Sequence, residues 1–322
     1  MNHLRGLGNS ISVPIPADEN AFTGRECPQS GCEGYFKIEL GTGLKGEGLQ
    51  CHCPYCGHTA GHDLFWTKEQ IEYAKSVAMR RITDALHKDL KELEFEHKPK
   101  GAFGIGISMK VEPARPTPIH HYREKQLETE IVCTNCTLRY SVYGVFACCP
   151  ECGQHNSLQI LEKNLEVVGK MLDMAAGTEK VLAEKLIENA LEDCVSAFDG
   201  FGRELCRIHA HKARKPSKIE NVSFQNLKSA NTAIRDEFGI DLSSELSPDD
   251  WRAAVTGFQK RHLVAHKMGV VDQAYITKTG DMQAVVGRKI SIVAAEVNGL
   301  AQIIRACAPR LSDDFQESRK SP

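Results

Sequence analysis

Cys53-Pro54-Tyr55-Cys56-Gly57 and Cys149-Pro150-Glu151-Cys152-Gly153 repeat one pattern almost letter for letter, and each has an upstream counterpart. Cys27 and Cys32 lie 20 residues before the first, and Cys133 and Cys136 lie 12 residues before the second. Cysteines this close supply two thiolates from one tight turn, and zinc takes four soft ligands in a tetrahedron, so two such turns close one shell. The expectation is two zinc sites, Cys27/Cys32/Cys53/Cys56 and Cys133/Cys136/Cys149/Cys152. Four thiolates leave no position for water, which gives both ions a structural task. Gly57 and Gly153 let the turns close. Cys51 and Cys148 break the two-residue spacing; each reads as a spare thiol or as a substitute for its neighbour. His52, His58 and His62 read as surface residues or as further ligands.

These turns resemble the knuckles of zinc ribbons, a small β module shared by families of very different function. Around them, residues 1–20, with Pro14 and Pro16, read as a loose lead-in, and residues 21–66 as the first ribbon. Its hairpin carries Tyr35, Phe36, Ile38 and Leu40, with Gly41, Gly43, Gly46 and Gly48 in the turn. Thr67 followed by Gln70 is a capping box and opens a long helix over 67–98. Residues 99–130 form a connector, broken by Pro99, Gly101, Gly104, Gly106, Pro113, Pro116 and Pro118, in which Ile105, Ile107, Met109 and Val111 alternate as a strand does. Residues 131–156 form the second ribbon, with Tyr140, Val142, Tyr143, Val145 and Phe146 between its knuckles.

From Leu158 the periodicity becomes helical: a connecting helix over 157–177, an all-α bundle over 178–312 and a tail over 313–322. Four main helices are expected in the bundle. They cover 178–212, 222–238 (ending at Gly239), 248–267 (opened by Ser247-Pro248-Asp249 and stopped by Gly269) and 291–308 (ending at Pro309). The fold class is therefore multidomain, two small β zinc ribbons joined by a long helix and linker and followed by a helical bundle. A length of 322 residues and a hydrophobic share of 41% fit such a globular chain. With 40 Lys and Arg against 42 Asp and Glu, a nucleic-acid partner must be met by a local patch. No stretch approaches the roughly 20 apolar residues that cross a bilayer. Thirteen cysteines in close pairs with no secretion signal point to a reducing compartment, the cytoplasm or nucleus.

Arg261-His262-Leu263-Val264-Ala265-His266 closes the third of the four bundle helices. At about 100° per residue, Trp251, Ala254, Val255, Phe258, His262 and Ala265 share one stripe, and Arg261 and His266 flank it within an arc of roughly 140°. That arrangement puts a cation and two imidazoles on one face, at the border of a packing contact where clefts form. Equally, His262 on the apolar stripe reads as a core histidine, and Arg261 and His266 as exposed partners of acids near a helix end.

An all-α domain whose third main helix ends in Arg-His-x3-His, followed by Gly269-Val270-Val271-Asp272, resembles the HEPN family (higher eukaryotes and prokaryotes nucleotide-binding) over residues 178–312. The resemblance implies a metal-independent endoribonuclease, a homodimer through the bundle in which the motifs of two chains face each other, and catalysis by Arg261, His262 and His266. Its members include toxins, antiviral effectors and RNA-processing enzymes, and some have lost catalysis. The residue types suit the chemistry. A histidine takes the proton of a ribose 2′-hydroxyl or supplies one to the leaving 5′-oxygen, and arginine holds the phosphate. The expected products are a 2′,3′-cyclic phosphate and a 5′-hydroxyl, with DNA resistant.

Arg203, Arg207, Lys212, Arg214, Lys215 and Lys218, opposed only by Glu204, with His209 and His211 among them, form the most basic stretch. It reads as an RNA-phosphate surface or as a solvated helix end. Arg80 and Arg81 are weaker candidates, and Tyr140, Tyr143 and Phe146 either stack on bases or build the ribbon's core. Two functions follow: a ribonuclease whose ribbons recognise substrate, partner or a protein or nucleic-acid trigger, and a catalytically silent binding module dimerised by its bundle.

Overall fold

The computed structural model describes residues 2–46, 48–97, 107–112, 115–127 and 129–318. The chain divides into two compact units, Met1–Gln154 and His155–Pro322.

The first unit runs α1 (Asn2–Gly6), β1 (Phe22–Glu26), β2 (Tyr35–Glu39), β3 (Gln50–His52), β4 (Thr59–Gly61), α2 (Lys68–Lys91), β5 (Phe95–His97), β6 (Ile107–Met109), β7 (Thr129–Val132) and β8 (Arg139–Val142). Its main sheet has the order β1-β2-β8-β7, antiparallel throughout, with Ile38 opposite Tyr140 where the two cysteine regions meet. The expected hairpins, strung between the two knuckles of each site, do not form. Each of three knuckles is instead the loop of its own hairpin, β1 to β2, β3 to β4 and β7 to β8. The reason is local. A Cys-x2-Cys turn closes on itself, Gly57 N–H donating to the Cys53 carbonyl at 3.0 Å and Thr137 N–H to that of Cys133 at 2.9 Å, and so sends its flanking strands out antiparallel. The residue after each turn is left-handed: Gly57 at φ 72°, Gly153 at 69°, and Thr137, a β-branched residue, at 65°.

Phe36, Ile38, Phe65, Ile131, Leu138, Tyr140 and Val142 surround the cysteines as one core. Buried Tyr140 therefore belongs to that core, while Tyr143 is exposed. The capping box forms as expected, Gln70 N–H to Thr67 Oγ1 and Thr67 N–H to Gln70 Oε1, both at 3.1 Å. The helix stops at Lys91, short of 98, because Phe95 pairs with Met109 in a further hairpin. The lead-in is fastened: the Asp89 carboxylate accepts from the backbone N–H of His3 at 2.8 Å and of Leu4 at 2.9 Å, and that of Asp18 from Lys37 at 2.7 Å. So is the connector, whose Glu124 accepts from Gly24 N–H and Gln70 Nε2 at 3.0 Å each and from the Tyr35 hydroxyl. Pro99, Gly101, Gly104, Ile105, Gly106 and Pro113 of that connector, and positions 319–322 of the tail, lie outside the described residues.

The second unit is all-α: α3 (Ser157–Ala176), α4 (Lys180–Ile208), α5 (Pro216–Ile219), α6 (Leu227–Phe238), α7 (Pro248–Lys267), α8 (Gln273–Thr279) and α9 (Ala294–Glu317). Leu161, Leu165, Val168 and Leu172 carry α3 into the same core as α4, α6, α7 and α9, so the connecting helix is an integral fifth member of the bundle. Ser247 caps α7 by accepting from Asp250 N–H at 3.1 Å, and left-handed Met268 and Gly269 end it. The last helix passes through Pro309, against expectation. Losing one backbone bond there costs about 3 kcal/mol, but Leu311 and Phe315 beyond it are fully buried and contribute about 1.5–3 kcal/mol each. No described helix is long and apolar enough to cross a membrane.

Candidate functional site

The sulfur atoms of Cys27, Cys32, Cys53 and Cys56 all lie within 4.8 Å of one another, as do those of Cys133, Cys136, Cys149 and Cys152. Individual Sγ separations are 3.7 Å (Cys27 to Cys56), 3.8 Å (Cys32 to Cys53), 3.6 Å (Cys133 to Cys152) and 3.5 Å (Cys136 to Cys149). A tetrahedron with zinc–sulfur bonds of about 2.3 Å has edges of about 3.8 Å, whereas a disulfide needs about 2.05 Å. The donor sets therefore fit one zinc ion each. Cys51, Cys148, His52, His58 and His62 belong to neither group. Cys51 is fully buried, and burial pushes its thiol up to about 12 despite the nearby Arg25 guanidinium. The two centres are coupled through backbone, His52 N–H donating to the Pro150 carbonyl at 2.7 Å and Cys148 N–H to that of Pro54 at 2.9 Å.

At the end of α7 the stripe expected to be buried emerges from the core after Phe258: His262, Ala265 and His266 are exposed, and the buried residues there are Lys260, Arg261 and Leu263. His262 is thus not a core histidine. Its ring centroid lies 4.9 Å from that of His266. Leu263 instead packs with Val271 and Tyr275, which fasten α8 across this end of α7. Asp272 caps α8 through Tyr275 N–H at 2.8 Å and pairs with Lys267. Burial, then the charges of His266, Lys278 and Lys267, hold the His262 ring below the ordinary imidazole value.

Arg261 turns the other way. It is 8% exposed, not at the open border expected of it. Its Nε and Nη2 donate to Glu192 Oε1 of α4 at 3.1 and 2.6 Å, and its Nη1 to Gln225 Oε1 at 2.9 Å. Gln225 is itself held by Asp199 Oδ2 at 3.3 Å, and Asp199 Oδ1 accepts from Phe224 N–H at 2.6 Å. This single chain therefore brings the two histidines together and aims the arginine at a different set of partners.

The basic stretch is largely committed to the fold. Arg207 donates twice to Glu204 at 2.7 and 2.6 Å, Lys212 closes the end of α9 on the carbonyls of Phe315 and Gln316 at 2.9 and 2.7 Å, and Arg203 lies 3.9 Å from Asp199. Lys218 pairs with Glu237 at 3.5 Å, while the Arg214 and Lys215 side chains are exposed. Burial, with Lys212 and His211 adding to it, pushes His209 down to about 4, so it carries no charge at neutral pH. Lys212, Arg214 and Lys215 follow the end of α4, about 24 Å along its axis from Glu192 at 1.5 Å per residue.

Glu192, Gln225 and Lys278 were not singled out by sequence reasoning. A buried arginine requires a carboxylate, but nothing in spacing selects one among 42 acids. No family model, curated protein or solved structure matches the chain.

Proposed function

We propose that this protein is an endoribonuclease needing no metal for its chemistry, acting as a homodimer through its helical unit, with the zinc-clamped unit recognising substrate or trigger. The observation that carries the reading is the exposed His262–His266 pair, its rings 4.9 Å apart on the last turns of α7 next to Lys267, with the charge of Lys278 felt at the His262 ring. Neutral His262 suits the base: it takes the proton of the 2′-hydroxyl as the 2′-oxygen bonds to phosphorus. His266 gives a proton to the 5′-oxygen as the phosphorus–oxygen bond to the leaving nucleotide breaks. Atoms balance with no water consumed, giving a 2′,3′-cyclic phosphate and a 5′-hydroxyl. The nearby carboxylates are engaged, Asp272 by Lys267 and Glu192 by Arg261, so the donor set favours proton transfer over metal binding.

The homodimer reading draws on the apolar side chains around this end of α7. The chain folds back there, Val271 N–H to the Arg288 carbonyl at 2.9 Å and Ile290 N–H to that of Gly269 at 2.8 Å. That ribbon and its turn leave Met268, Val270, Met282, Val285 and Val286 exposed. Exposed apolar side chains grouped beside a polar site mark an association surface.

The test is incubation of the purified protein with mixed RNA in EDTA beside His262→Ala and His266→Ala of equal zinc content. Wild type should cleave and each variant should lose about 10²-fold or more; equal cleavage by all three sinks the reading. A second reading, a silent binding module dimerised by its bundle, is favoured by the burial of Arg261 under Glu192 and Gln225. An inactive wild type with a dimeric bundle is what that reading expects.

A further inference from the structure

The ribonuclease reading needs a cation at the phosphate, and Arg261 is already spent. Its Nε, Nη1 and Nη2 are all given to Glu192 and Gln225, and it sits on the side of α7 that faces α4. Swinging out would break a part-buried network, because Gln225 ties Arg261 to Asp199 and, through it, to the backbone ahead of α6. The charges felt at the His262 ring are those of His266 and Lys267 on α7, of Lys278 on α8 and of Asp272 at its cap. Lys267 and Asp272 neutralise each other.

Lys278 remains. It is exposed on the last turn of α8 and, among the described residues, enters no ion pair. Its backbone is nonetheless well placed: Tyr275, one turn earlier, is buried against Leu263, the neighbour of His262, and the Lys278 carbonyl accepts from Lys228 Nζ at 2.8 Å. Tyr275 is further fixed by its hydroxyl, which donates to Asp281 at 2.9 Å. A short helix fastened to the end of α7 thus presents an exposed ammonium whose charge reaches the His262 ring, and an ammonium on a flexible stem is suited to a phosphate as a point charge.

We propose that Lys278 of α8, and not Arg261, is the cation that meets the scissile phosphate at the His262–His266 pair, Arg261 being the strut that fixes α7 to α4. The proposal rests on the ribonuclease reading, and its test has two arms on the full-length, zinc-loaded protein. In the first, Lys278→Ala lowers RNA cleavage by about 10²-fold with no change in melting temperature, and Lys278→Arg restores most of it. Arg261→Lys lowers the melting temperature, and its cleavage falls only with the folded fraction. Wild-type cleavage by Lys278→Ala, or a fully folded Arg261→Lys that no longer cleaves, overturns the proposal. The second arm does not depend on turnover: inorganic phosphate is titrated while the His262 ring resonances are followed by NMR. Saturable shifts in wild type that vanish in Lys278→Ala support the assignment, and identical titrations overturn it. A wild type that cleaves no RNA removes the ribonuclease reading and leaves the phosphate titration to decide on Lys278.

Discussion

The two units hold themselves together by different means. In the first, the cysteines share one core with the apolar side chains of Phe36, Ile38, Phe65, Leu138, Tyr140 and Val142. In the second, five helices bury a continuous apolar interior from Leu161 to Phe315, and its three cysteines, Cys194, Cys206 and Cys307, are ordinary buried side chains of that interior. A core of the first kind is built round two sulfur groups that fit a zinc ion each. One of the second kind depends on packing and on a few part-buried polar pairs, among them Arg261 with Glu192.

Removing zinc should separate the units most strongly. Sites of this kind gain about 10–16 kcal/mol from the ion, as much as the whole net stability of an ordinary domain. Chelation is expected to abolish hydrogen-exchange protection in β1 to β4, β7 and β8 and to leave α3 to α9 protected; equal loss in both units breaks the comparison. Next in size, Glu192→Ala leaves a buried guanidinium short of its half-exposed anion and should destabilise the second unit by about 2 kcal/mol. Gln225→Ala, removing a neutral partner, should cost about 1 kcal/mol, and denaturant unfolding would order the two.

Acid acts more selectively. Burial pushes His209 down to about 4, so as pH falls below the ordinary imidazole value of about 6.5 the unfolded chain takes a proton that the folded chain refuses. The second unit should lose stability from pH 6.5 toward 4, and His209→Gln should flatten that slope. Glu204 does not mask it. Burial alone would raise that carboxyl, but Arg207 and His155 bring it down to about 2, and the stability it contributes is lost only as pH falls from about 4.5 toward 2. Smallest of all, Thr137→Gly relieves a left-handed β-branched residue and should raise the stability of the first unit by up to about 1 kcal/mol, the relief of strain exceeding glycine's entropy cost.

The same contrast governs what could be read in advance. The sulfur groups were legible because a knuckle is a local object: spacing alone picked out the eight cysteines that cluster, though it left Cys51 and Cys148 open as substitutes. Strand pairing was not, since Ile38 pairs with Tyr140 and no local signal joins them. In the second unit, periodicity and caps located α4, α6 and α7. Helical arithmetic failed at the end of α7 because it assumes that the core accompanies the helix throughout, whereas the core stops near Phe258 and leaves His262 in solvent. Arg261 is buried by partners 69 and 36 residues away in the chain, which no pattern around the motif could announce. Pro309 failed as a stop for a related reason, since packing of Leu311 and Phe315 outweighs one lost backbone bond.

The chemistry of the RNA ends tests the central claim most directly. Full-length protein incubated with RNA and with DNA of the same sequence, in magnesium-free buffer, should cut only the RNA and leave 2′,3′-cyclic phosphates opposite 5′-hydroxyls, and His266→Ala should leave it whole. Products ending in 3′-hydroxyls and 5′-phosphates, or cleavage of the DNA, would contradict an account in which the 2′-hydroxyl is the nucleophile and the His262–His266 pair moves the protons.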